Sequence, residues 1–258
     1  MSLSLDVKNS SIYYNKHLPE FEKSFDILIN PLPGMLYFEI KERLHMKKRV
    51  EPQVPKLLDQ QTFDQSFDSD DPYIEYVEIR DCVVTMHDIR RLEFKTVRFI
   101  NVQFEAIDLE EGYFRDVVFE KCQFVNAVFS RAIFKQVTFS QCRLNGALFN
   151  DSKLEHVLFD DCIMDLCSFG FGSLKVCEFQ KSRLSEADFL ELKWTDILFR
   201  ECLIDESRFT RTSLNGVDIS SSTFDALTVE LEALKGAIVS QSQALGFLNL
   251  LGMEIRDD

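Results

Sequence analysis

The sequence predicts an all-β fold, a square solenoid of about eight stacked coils, with an N-terminal cap segment and a C-terminal helical cap. Three observations carry this. An apolar residue recurs at every fifth position from Ile74 to Phe224, 31 times without an insertion, and 17 of the 24 Phe fall in that class. Charge avoids the class: between Asp71 and Phe224 there are 26 acidic and 18 basic residues, none in it and none in the small-residue class two positions before it. Like residues also return every 20 positions, so four five-residue units make one turn. Neither the helical period of about 3.6 nor the strand period of 2 produces such a beat. Unpaired charge is not tolerated in a dry interior, so both classes point inward and the other three positions face water.

The small class sets the walls. Val77, Val97, Val117, Val137, Val157, Cys177, Ile197 and Val217 stack on one of them, and Cys82, Val102, Cys122, Cys142, Cys162, Ser182, Cys202 and Ser222 on the next. Parallel backbone hydrogen bonds at a spacing of about 4.8 Å give a rod of roughly 37 Å. All six Pro lie at or before Pro72, outside the coils, where a missing N–H costs no ladder bond.

Three segments follow: 1–71 as an N-terminal cap and linker, 72–226 as the coils, and 227–258 as the C-terminal cap. In the first, Phe25–Ile29 reads as a strand, Met35–Lys48 as a helix and Glu51–Asp71 as a linker or cap. In the last, Thr228 caps a short helix through Leu234 that Gly236 ends, and Ala237–Val239 reads as a strand. Ser240 and Gln243 form a capping box for a second helix that ends near Gly252. Its apolar residues Ala244, Phe247, Leu248 and Leu251, with Leu245 off that face, cover the last coil and are candidates for a two-fold subunit contact.

Units such as Cys142-Arg143-Leu144-Asn145-Gly146 and Ala187-Asp188-Phe189-Leu190-Glu191 resemble those of the pentapeptide repeat family in its Phe-rich form. The resemblance implies a right-handed quadrilateral β-helix. The C-terminal tail is similar to the helix through which the Qnr-like and MfpA-like quinolone-resistance members dimerise. Those members imply a homodimer that binds DNA gyrase or topoisomerase IV by imitating duplex DNA. Two rods end to end measure roughly 75 Å, about 22 base pairs of duplex.

Catalytic chemistry finds no support. The seven Cys all occupy the small interior class and read as compact hydrophobes, not as ligands or disulfides. An unpaired set of thiols favours a reducing, cytoplasmic setting. His17, His45, His87 and His156 are scattered, with His87 in an interior slot, and there is no metal-binding or nucleotide-binding motif. No cofactor is implied. The formal charge of −14 argues against direct binding of nucleic acid or an anionic membrane.

Surface recognition remains. The wall bearing Ile79–Ile219 carries 8 acids and 5 bases, that of Val84–Phe224 carries 5 and 2, and that of Ile74–Leu214 carries 5 and 6. Leu148, Leu158, Ile163, Leu166, Phe171, Leu190, Leu198 and Leu203 point outward and are candidates for a partner surface. Asp160, Asp161, Asp205 and Glu206 join them at the corners. The alternative to a topoisomerase partner is a generic scaffold that holds an unrelated protein through the exposed Leu and Phe residues.

Overall fold

The computed structural model describes residues 47–85 and 89–248, with side chains through Phe247. His17, His45, His87, the Phe25–Ile29 strand, most of the Met35–Lys48 helix and Leu251 lie outside the described residues. Lys47 and Lys48 belong to no helix; they begin an extended segment.

A chain that turns a square corner every fifth residue needs a backbone conformation that reverses its twist. From Tyr76 to Gly216 every fifth described residue supplies it, with 26 non-Gly residues at φ between +47° and +62°, plus Gly146 and Gly216. The left-handed region costs an L-residue roughly 1–2 kcal/mol. The coil-to-coil ladder offsets that strain. At Phe124, for example, N–H donates to the Arg143 carbonyl one coil on at 2.7 Å, while Gln123 N–H donates to Val102 one coil back at 2.9 Å.

The strands in chain order are β1 (Asp59–Gln60), β2 (Tyr73–Glu75), β3 (Val77–Arg80), β4 (Val83–Val84), β5 (Glu93–Ile100), β6 (Gln103–Phe104), β7 (Tyr113–Glu120), β8 (Ile133–Ser140), β9 (Lys153–Asp160), β10 (Ser173–Gln180), β11 (Lys193–Arg200), β12 (Ser207–Arg208) and β13 (Leu227–Thr228). Each eight-residue strand bends around one corner, so it forms two walls. All pairings are parallel, and the stacked strands from β5 to β11 keep a register of 20 residues, as in Phe119↔Phe139 and Phe139↔Phe159. The other two walls are joined by isolated bridges in the same register, such as Gln123↔Arg143 and Val128↔Leu148.

The interior is two nearly continuous aromatic stacks. Phe99, Phe119, Phe139, Phe159, Phe179 and Phe199 lie face to face with centroids 4.8–5.1 Å apart. Phe129, Phe149, Phe169, Phe189 and Phe209 repeat the pattern at 4.9–5.3 Å. Edge-on contacts such as Phe159–Phe169 at 6.2 Å tie the two stacks together, which suits the ring quadrupole. Of the 31 apolar positions, Trp194 and Phe224 alone are half-buried; the rest are buried.

Both ends are covered. Residues 59–67 close the start: β1 pairs with β3, and the helix α1 (Phe63–Ser66) buries Phe63 in the core behind a Thr62–Gln65 capping box. At the other end the ladder continues past Phe224 although the five-residue beat stops there. β12 pairs with β13, and Asp218 bridges Ile238. Thr228 is therefore a strand residue and not a helix cap; the short 3-10 helix Leu231–Leu234 follows Glu230, which makes no side-chain cap bond. Gly236 ends it at φ +80°. Ser240 and Gln243 do form the reciprocal capping box, at 2.8 and 3.3 Å, ahead of α2 (Gln241–Leu248).

Residues 47–58 run along one corner as an extended strap, antiparallel to the growth of the coils. Its N–H groups at Lys47, Val50 and Gln53 donate to Asp196 (3.4 Å), His156 (3.2 Å) and Asp116 (2.8 Å). Three extended residues span about 9.3–9.9 Å and two coils about 9.6 Å, so the strap is in step with the rod. Arg98 completes the seam by donating to the Pro55 carbonyl at 2.8 Å. Beneath it the corner residues Thr96, Asp116 and Val176 are buried, although such positions are mostly exposed on the other three corners.

Candidate partner-binding surface

The walls are numbered by their interior residues: first Ile74–Leu214, second Ile79–Ile219, third Val84–Phe224, fourth Ile89–Phe209. Their outward chemistry follows from the strand pleat and the corners, because everything pointing inward is apolar or internally bonded.

The small interior polar residues do more than fill space. Ser152, Ser182 and Ser207 donate to the carbonyls of Phe129, Phe159 and Leu184, each 23 residues back, at 2.7, 3.2 and 2.6 Å. Cys142, Cys162, Cys167 and Cys177 use their thiols in the same way, Cys167 to Leu144 at 2.9 Å. The reading of Cys as a plain hydrophobe is corrected accordingly: the thiol is a hydrogen-bonding spacer. Burial pushes the Cys177 thiol up to about 12 and the Cys202 thiol up to about 11. Among the described residues no cluster of three or more His, Cys, Asp or Glu is arranged to hold a metal ion.

Outside, among the described residues, nine of the acids pair with a base one coil away. Arg91 and Arg131 flank Glu111 at 2.7 and 3.2 Å and hold its carboxyl below the usual range. Lys175 does the same for Glu155 at 2.6 Å. Arg98 bonds Glu78 at 3.0 Å, and Arg211 bonds Glu191 at 2.7 Å.

The outward apolar residues do not form one patch. Leu158 and Leu198 lie on the second wall with Glu178 between them. Ile163 and Leu203 lie on the third, separated by Arg183. Leu166 marks the corner of the third and fourth walls, Leu148 the fourth wall, and Leu190 and Phe171 the corner of the fourth and first. Leu166 and Phe171 are well exposed, Leu148 and Leu203 barely so; Leu158, Ile163, Leu190 and Leu198 are half-covered by their stacked neighbours.

The third wall gathers the most candidates, in the three coils of Met164, Leu184 and Ile204. Asp160 and Asp161 stand at one corner, Ile163 and Leu203 along the middle, and Leu166, Asp205 and Glu206 at the other. Two of these acids have internal work. Asp205 accepts the backbone N–H groups of Asp225 (2.8 Å) and Ala226 (3.0 Å), which keep its carboxyl below the usual range, and Asp161 accepts from Gln141 at 3.2 Å. Arg183 is taken by Asp165, with Nε to Oδ2 at 2.8 Å. In α2, Phe247 packs on Phe224 with centroids 5.7 Å apart, while Ala244 and Leu245 face solvent. No helix among the described residues is long and apolar enough to cross a membrane.

The family model described as a pentapeptide repeat region matches residues 88–169. Those residues are a pentapeptide repeat region, and the coils have the fold of a pentapeptide repeat β-helix. No curated protein matches the chain. Similar solved structures include a trypsin-treated form of QnrB1, a plasmid-mediated fluoroquinolone resistance protein, at 17% identity, covering 71% of this chain and 90% of that one with a TM-score of 0.47. Full-length QnrB1 aligns at 18% identity over 68% of this chain and 100% of its own, with a TM-score of 0.33. HetL from the cyanobacterium Nostoc, involved in heterocyst differentiation regulation, aligns at 12% identity over 78% and 96%, with a TM-score of 0.35.

Proposed function

We propose that this chain is a non-enzymatic binding rod that engages a basic protein surface through its third wall. The observation that carries the reading is the composition of that wall near its C-terminal end: apolar Ile163, Leu166 and Leu203 framed by Asp160, Asp161, Glu186 and Glu206. A positively charged protein gains there both steering and buried apolar area. The partner this rod fits best is a type II topoisomerase, gyrase or topoisomerase IV, approached as a substitute for duplex DNA. Seven thiols without a disulfide suit a reducing cytoplasm. The protein pairs with a second copy through the exposed side of α2, at Leu245 and Ala244, with Leu248 and Leu251 continuing the sequence pattern. A supercoiling and quinolone cleavage-complex assay tests the partner. Binding that is lost on Asp160→Lys with Glu206→Lys supports it; no binding and no protection at micromolar protein removes it.

The coil-to-coil ion pairs favour a second reading, a scaffold for an unrelated protein, since they neutralise part of the acidity that a duplex substitute needs. A partner that is indifferent to competing DNA and is lost on Leu166→Asp identifies the scaffold.

A further inference from the structure

The corner between the fourth and first walls carries an alternating column of charge with one rung missing. Coil by coil it reads Arg91, Glu111, Arg131, Asp151, Phe171, Glu191, Arg211. Cations and carboxylates pair along it, Arg91–Glu111 at 2.7 Å, Arg131–Glu111 at 3.2 Å and Arg211–Glu191 at 2.7 Å. The place between Asp151 and Glu191 belongs to a cation, and Phe171 occupies it, 54% exposed. Among the described residues Asp151 has no salt-bridge partner and Phe171 no ring contact. One coil on, the Leu190 carbonyl accepts the Phe171 N–H at 2.8 Å, which sets the half-covered Leu190 side chain beside this rung.

We propose that this corner receives an arginine or lysine side chain from a basic protein segment. Its cationic head lies over the Phe171 ring between the carboxylates of Asp151 and Glu191, and its aliphatic stem lies along half-covered Leu190. An aromatic face attracts a cation, and long basic side chains cover apolar surface with their stems. The carboxylates stand one coil to either side, about 4.8 Å away along the axis, so the incoming charge completes the alternation. The inference rests on the protein-binding reading but concerns a corner away from the third wall.

The test is a titration of the whole protein, read by fluorescence anisotropy, with a fluorescein-labelled peptide of four Arg-Gly repeats in roughly 0.15 M salt. Phe171→Leu keeps the charge and removes the ring; it weakens binding about threefold to tenfold. Phe171→Arg fills the rung; it abolishes the site and raises the melting temperature relative to Phe171→Leu. Asn101→Arg adds the same charge on another corner and leaves the affinity unchanged. The proposal is overturned if the native protein does not bind the peptide, if Phe171→Leu binds as the native protein does, or if Phe171→Arg behaves like Asn101→Arg. The topoisomerase assay reports on the third wall and the peptide on this corner, so either failure is recognised separately.

Discussion

A thiol buried inside the tube is held protonated by the fold, because burial disfavours the thiolate. For Cys177 and Cys202 the folded value is about 12 and about 11 against an ordinary value of 9.0. Because the unfolded thiol loses its proton first, stability is complete below about pH 9 and falls as pH rises toward the folded values. The slope is about 1.4 kcal/mol per pH unit for each such thiol, measurable by urea titration between pH 8.5 and 11. Half-buried Cys82 is the single thiol expected to react with a disulfide reagent at pH 8, with all seven reacting in denaturant. Phe159 sits in the middle of a six-ring stack with no exposure. Phe159→Ala costs about 3–5 kcal/mol in the same titration. The interior classes were legible because burial dictates residue type. The corner conformation was not, since Lys121, Gln141, Leu166 and Val176 all adopt it and share no chemistry.

The strap is the element that the five-residue beat did not reveal. Its hold is a backbone N–H every third residue onto Asp116, His156 and Asp196, which leaves no apolar period in its own sequence. Asp116→Ala removes the acceptor for Gln53. Amide exchange at Gln53 then rises, and trypsin cuts faster after Lys47, Lys48 and Arg49, while the melting temperature of the coils moves little. The turn beyond Phe224 was hidden for a related reason. Pairing such as Ile219 N–H to Ile238 O at 3.0 Å uses atoms that every residue has, so the ladder outlasts the pattern of side chains. The capping box at Ser240 was legible because it needs two particular side chains at a fixed spacing.

At the scale of the whole molecule, a solenoid is as stable as its ends allow, because each coil contacts only its neighbours. Phe247 on Phe224 is the lid at one end. Phe247→Asp lowers stability by about 1–3 kcal/mol and broadens the unfolding transition as the last coil frays. Under the proposed pairing through α2, Leu245→Asp shifts the sedimentation coefficient from dimer to monomer. The tube could be read from sequence because one rule repeats at every unit. The candidate surface could be read only as scattered outward residues, since contact along a wall depends on positions 20 and 40 apart combined with corner geometry.

The agreement between strap and rod restricts how such a molecule changes length. A coil added between Asp116 and Asp196 throws the clasps beyond it onto intervening corner residues, such as Gln136 and Val176, in place of a carboxylate or the imidazole. Two coils together with three strap residues restore the fit. Like the two scales of a vernier, the tether and the tube come into coincidence only in certain increments, so viable lengths differ by pairs of turns.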